Sequence, residues 1–197
     1  MKPRFSTRQL AVIGMMTALV FASNYAQIVM PIPIGGTPRF TLANIMCVLS
    51  GLILGPVGGV ASGLGSALYD LTFPAYAPEC WITFINKGVM GLVTGLVAFA
   101  GLRRKKEGAD PAPSAHPYLR YLVAALAGCA AYYVLYFAKS IFYNGMLIEG
   151  LTFITALAIL PLKAWTSVFN AAVAVVVAPP LTLSIRAALK KAGIKAL

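Results

Sequence analysis

Long apolar runs separated by short polar or Pro/Gly-rich breaks organise this chain. A helix needs roughly 20 apolar residues to cross a hydrocarbon core about 30 Å thick. The first such run covers residues 8–30. It stops at Pro31-Ile32-Pro33 and Gly35-Gly36, where a helix cannot continue. Its basic start resembles a signal peptide, but the run is too long for one and more spans follow, so it reads as the first span. Residues 40–73 come next. As one helix they would extend about 50 Å at 1.5 Å per residue, too far for one crossing. Gly55-Pro56-Val57-Gly58-Gly59 lies near the middle. The pattern therefore predicts two short spans, 40–55 and 57–73, joined by a tight turn. Further runs at 82–102, 118–143 and 160–185 complete an expected all-α integral membrane protein. It has six transmembrane helices in a single membrane domain over residues 1–197, with both termini cytoplasmic.

Charge supports the split. With six spans and the N-terminus inside, every Lys and Arg except Arg39, Lys87, Lys139 and Lys163 falls on the cytoplasmic side. If residues 40–73 made one span, the basic loop at 103–117 and the basic tail would lie outside, against the positive-inside rule. Composition agrees, since 59% of the 197 residues are hydrophobic and only 11% are charged. The mean hydropathy is +0.82. A soluble domain of this size needs more charge to cover its surface. The net charge of +11 sits in short clusters without an aromatic face, which argues against nucleic acid.

Little points to catalysis. No GxxxxGK[ST], HExxH or Gly-x-Ser-x-Gly occurs. The single histidine, His116, lies in the expected cytoplasmic loop. The acids Asp70, Glu79, Glu107, Asp110 and Glu149 fall near span ends or in loops. The three cysteines show no CxxC spacing, so neither a disulfide framework nor a metal site is expected. Cys47 and Cys129 read as buried small apolar residues. No enzyme, cofactor or metal is expected.

Two patterns do carry information. Gly14, Ala18, Ala22 and Ala26 recur every four residues, as do Gly51, Gly55, Gly59, Gly63 and Ala67. Each series lies along one helix face, where small residues let another helix approach closely. That helix is either part of this bundle or a partner's. Second, Lys87, Lys139 and Lys163 sit in or near apolar runs, toward the expected outer face, where ionisable groups are costly. Tyr132, Tyr136, Lys139 and Tyr143 form one stripe, and Lys163, Thr166 and Asn170 another. Asn86 and Lys87 follow Trp81 and Phe84. Aromatic rings, amides and ammonium groups thus reach a similar depth, as in a site for a small aromatic or anionic molecule. The competing reading is snorkelling lysines within an aromatic belt, with Lys87 paired to Asp70 or Glu79. Asn86 and Asn170 weigh against it, because an amide cannot snorkel far.

Ser50-Gly51-Leu52-Ile53-Leu54-Gly55-Pro56-Val57-Gly58-Gly59, then Gly63 and Asp70, resembles the second and third helices of S components of energy-coupling factor (ECF) vitamin transporters. Leu160-Pro161-Leu162-Lys163 through Asn170 to Pro179-Pro180-Leu181 is similar to that family's sixth helix. The resemblance implies six helices and a vitamin site near the outer face. Its candidate residues are Arg39, Trp81, Asn86, Lys87, Tyr136, Lys139, Tyr143, Lys163 and Asn170. It also implies that Gly14, Ala18 and Ala22 dock on a membrane coupling (T) subunit served by two ABC-type ATPases in a prokaryotic cell membrane. Residues 31–38 and 73–80 would be gates, with Arg39 at the mouth. The three outer lysines favour an anionic vitamin such as pantothenate or a folate. The alternatives are a self-contained small transporter or channel subunit, and an assembly subunit without a ligand.

Overall fold

The computed structural model of the chain describes residues 7–29, 39–100 and 117–191. Six helices dominate them: α1 (Thr7–Tyr25), α2 (Ala43–Leu54), α3 (Gly58–Leu71), α4 (Cys80–Phe99), α5 (Pro117–Ala138) and α6 (Phe153–Lys191). Four apolar helical runs are long enough to cross a membrane: Ala43–Leu71, Ala77–Phe99, Pro117–Ile148 and Lys163–Ala188. A fifth, Gln9–Tyr25, is apolar but shorter.

The run over Ala43–Leu71 is folded back on itself. Ser62 Oγ donates to Cys47 O at 3.2 Å, and Ser50 Oγ donates to Gly58 O at 2.6 Å. In a straight helix residues 47 and 62 would stand about 22 Å apart. The chain therefore reverses between α2 and α3. It does so at Gly55, whose φ of 67° and ψ of −148° suit a residue without Cβ, followed by one 3₁₀ turn over Gly55–Val57. The Gly-Pro-x-Gly-Gly segment is thus where the chain turns. The two arms are short, 12 and 14 residues, or about 18 and 21 Å.

The glycine series packs inside the bundle. A Cβ on Gly59 would stand 2.7 Å from Gly88 O, and one on Gly63 would stand 2.7 Å from Phe84 O. One on Gly51 would stand 2.5 Å from Gly91 O. Bare backbone lets α2 and α3 press against α4, so van der Waals contact replaces the hydrophobic drive that lipid removes. Next to these contacts lies an apolar core of Val48, Leu52, Met90, Ala124, Cys129 and Ala174, from α2, α4, α5 and α6. The first-helix stripe behaves differently. Met16 and Val20 turn inward, while Gly14, Ala18 and Ala22 are exposed on the opposite side. A Cβ on Gly14 would meet nothing within 4 Å.

Several helix bounds differ from expectation. The first helix ends at Tyr25, not at residue 30. Gln27–Val29 (β1) pairs antiparallel with Arg39–Thr41 (β2), and Ile28 lies opposite Phe40. The second helix accordingly starts at Ala43 and not at residue 40. The fourth runs Cys80–Phe99 where 82–102 was expected. The fifth passes at Lys139 into a ten-residue π-helical stretch, Lys139–Ile148. The sixth begins at Phe153 and runs 39 residues, through Pro161, Pro179 and Pro180. That is about 58 Å, nearly twice a hydrocarbon core. The expected gate at 31–38 lies outside the described residues. So do the basic loop at 103–116 with Arg103, Lys106 and His116, and the terminal Lys2, Arg4 and Lys195.

Candidate functional site

Alternate helices run in opposite directions. The C-terminal ends of α1, α3 and α5 therefore meet the N-terminal parts of α2, α4 and α6 at one end of the bundle. Between them, roofed by the β1–β2 ribbon, lies a cavity of about 320 Å³ to which all six helices contribute. Small-molecule sites span about 300–1,000 Å³.

Its floor joins three helices. Lys87 of α4 and Asn44 of α2 are 7% and 2% exposed. The Lys87 ammonium donates to Asn44 Oδ1 and stands 4.5 Å from the centre of the Tyr132 ring, a cation–π contact. Asn44 Nδ2 donates to the Tyr133 hydroxyl at 3.1 Å. Lys87 therefore makes neither of the ion pairs, to Asp70 or Glu79, that the sequence left open. Tyr132 and Tyr136 stack at 5.8 Å between centroids, and Tyr133 meets Tyr132 edge-on at 4.8 Å. These rings form an aromatic ledge on α5.

One wall is built by the π-helical stretch. Lys139 Nζ reaches Glu79 Oε2 at 2.5 Å, and Asn144 Nδ2 donates to Glu79 Oε1 at 3.3 Å. Lys139 and Asn144 are five residues apart. In an α-helix that spacing rotates a side chain off its face, but it is the i→i+5 repeat of a π-helix. Ser140 and Gly145, also five apart, are both buried. A Cβ on Gly145 would come within 2.8 Å of Ala156 Cβ, so that glycine admits α6. Lys163, 5% exposed, crosses from α6 and donates to Ser140 Oγ at 2.6 Å.

The roof hangs on one amide. Asn170 Oδ1 accepts from Thr41 N at 3.1 Å, and Asn170 Nδ2 donates to Arg39 O at 2.7 Å. The side chain thus bonds the open edge of β2 as a neighbouring strand would. Phe169 adds an edge-to-face contact with Phe40 at 5.0 Å. The Arg39 guanidinium lies 3.9 Å over the Tyr76 ring, and its Nη1 donates to Gln27 Oε1 at 3.3 Å. Gln27 in turn donates to the Tyr69 hydroxyl.

Arg39, Asn86, Lys87, Tyr136, Lys139, Lys163 and Asn170 all line this one cavity. Trp81 and Tyr143 do not. Trp81 is 57% exposed and meets Tyr143 edge-on at 6.4 Å, away from the lining. Tyr143 follows Lys139 by four residues, an α-helical spacing, and the change of helix type puts Asn144 in the wall instead. Sequence reasoning also missed Asn44, Glu79 and Gln27. Asn44 was findable, because an amide inside an apolar span is costly unless bonded. Gln27 was hidden by the overlong first span.

The electrostatics are lopsided. Among the described residues Lys139–Glu79 is the one ion pair. Lys87, Lys163 and Arg39 have neutral hydrogen-bond partners: Asn44, Ser140 and Gln27. Among the described residues no group of His, Cys, Asp or Glu could hold a metal ion.

Residues 4–187 match the family model described as "ECF-type riboflavin transporter, S component". The solved S component of a bacterial ECF transporter superposes with a TM-score of 0.57 at 18% identity. The match covers 93% of this chain and 98% of that one. No curated protein matches significantly.

Proposed function

This chain belongs to the ECF-type riboflavin transporter S-component family, and from that premise we propose that it captures a flavin vitamin, riboflavin in the first instance, for import. The family consists of membrane transport subunits that bind substrate. The fold it shares with a solved S component agrees. The observation that carries the flavin reading is the cavity itself. An aromatic ledge of Tyr132, Tyr133 and Tyr136 stands beside amide, hydroxyl and ammonium groups from the other walls. A fused heterocycle with a hydroxylated chain needs stacking on one side and hydrogen bonds around its edge.

In this reading six spans cross the membrane, both termini are cytoplasmic and the cavity opens outward. Arg120, Arg186 and Lys191 support it, since by helix direction they lie at the end opposite the cavity. Energy would come from a T subunit and two ABC-type ATPases, with Gly14, Ala18 and Ala22 as the docking face. The exposure of that face supports the assignment. The chain itself would hydrolyse nothing.

A second reading keeps the subunit and changes the ligand to an anionic vitamin such as pantothenate or a folate. The neutral partners of Lys87 and Lys163 favour it. Thermal unfolding in detergent separates the two. A ligand at 100 times its Kd stabilises by about 2.7 kcal/mol. Riboflavin should raise Tm without ATP. A shift with pantothenate or folate and none with riboflavin would reverse the order.

A further inference from the structure

We infer that Glu79 is the positioning residue for one wall of the cavity: it holds Lys139–Ile148 in the π-helical register and so presents Asn144, and not Tyr143, to the ligand. The inference rests on the cavity being the ligand site, as proposed above, and not on which vitamin fills it.

A π-helical register is costly and needs a cause. Such runs are rare and recur at functional sites. Here the backbone keeps the register to its end, where Glu149 N donates to Asn144 O, five residues back, at 3.0 Å. Asn144 Oδ1 is buried without a hydrogen-bond partner, which is a second cost. The outward side does not explain the choice. Phe142, Met146, Leu147 and Ile148 are all exposed and apolar, so turning the segment by one residue would expose much the same surface. What fixes the register therefore lies inside.

Glu79 fits that role. It ends the short turn Ala77–Glu79 that leads into α4, and its two oxygens take Lys139 Nζ at 2.5 Å and Asn144 Nδ2 at 3.3 Å. In an α-helix, residues five apart point about 140° away from each other, so one carboxylate could not hold both. Because a carboxylate only accepts, it also fixes which end of the amide faces it. Gly145 completes the hold from the other side, where a Cβ would stand 2.8 Å from Ala156 Cβ of α6. Relaxed to an α-helix, the segment would bring Tyr143, four residues after Lys139, onto the stripe of Tyr132, Tyr136 and Lys139. A bulky ring would then fill space that the smaller amide leaves open. In the π-helical register Tyr143 is turned away, edge-on to Trp81 at 6.4 Å.

The test uses the full chain in detergent, with riboflavin and pantothenate as probes. In the wild-type background, Asn144→Ala should weaken the bound probe at least fivefold and Tyr143→Ala less than twofold. In a Glu79→Ala background the two effects should trade places. Gly145→Ala attacks the register from the α6 side and should give the same exchange. It serves alone should Glu79→Ala fail to elute as a folded monomer. A merely structural role for Glu79 would weaken binding but keep the ranking. One readout needs no ligand: a nuclear Overhauser effect between the Trp81 and Tyr143 ring protons should be present in wild type and absent from the variant that alters the register. An unchanged ranking in both backgrounds, or a retained ring contact, overturns the inference and leaves the flavin reading standing. Pantothenate binding without riboflavin, with the ranking exchanged, does the reverse. Binding of neither probe overturns both.

Discussion

Asn170→Ala should release the ribbon that roofs the cavity while leaving the helical bundle folded. The wild-type amide makes two hydrogen bonds, 3.1 Å from Thr41 N and 2.7 Å to Arg39 O, and the residue is 8% exposed. Each bond is worth about 1 kcal/mol net, so the clamp holds the ribbon by about 2 kcal/mol. At about 1.4 kcal/mol per factor of ten, local opening of β2 becomes roughly thirtyfold more frequent. Amide hydrogen exchange on the detergent-solubilised protein reads this directly. The Thr41 amide, which donates to the lost oxygen, should exchange about thirtyfold faster. Amides of α4 around Met90 should keep their protection. Ligand affinity should fall too, because Arg39 and Thr41 line the cavity and move with the strand. Unchanged exchange at Thr41, or equal acceleration throughout the chain, would refute the clamp.

Four further outcomes follow from the geometry. Gly51→Ala would place a Cβ 2.5 Å from Gly91 O and should destabilise by about 1–3 kcal/mol, whereas Gly14→Ala, with open space around it, should leave Tm close to wild type. In a double-mutant cycle on thermal stability, Glu79→Gln and Lys139→Gln should couple by about 1–3 kcal/mol, between an exposed and a buried pair, since the side chains are 23% and 16% exposed. Ala18→Trp or Ala22→Trp should abolish uptake in cells and spare ligand binding by the purified protein; loss of binding would move that face into the site. Trp81→Ala should leave ligand Kd within about threefold, since its ring lies off the lining, while Tyr132→Ala should weaken a stacked ligand by about 1 kcal/mol or more.

The reversal at Gly55 was readable because Gly-Pro-x-Gly-Gly combines a left-handed position with a helix breaker, and because one helix could not fit. The lysines were readable for a related reason. An ionisable group in an apolar run is costly enough that several at one depth must share a polar enclosure. What escaped detection was local backbone. A three-residue strand has too few positions for alternation to show, so Gln27 and Val29 passed as the tail of a helix. The π-helical stretch defeated an assumed period of 3.6, selecting Tyr143 where the wall holds Asn144. Asn44 carries the same signal as Asn86, an amide inside an apolar run that needs a partner. The ligand's identity was not readable. Lysines favour an anion whatever its scaffold, and the family match, not the charge pattern, brought flavins forward.

Mass spectrometry of the small molecule that co-purifies with the membrane-extracted protein tests the cavity's role most directly. A flavin should be found with wild type and be lost from Lys87→Met and Lys163→Met. Protein that carries no small molecule, or variants that retain it in full, would contradict a ligand site at this end of the bundle.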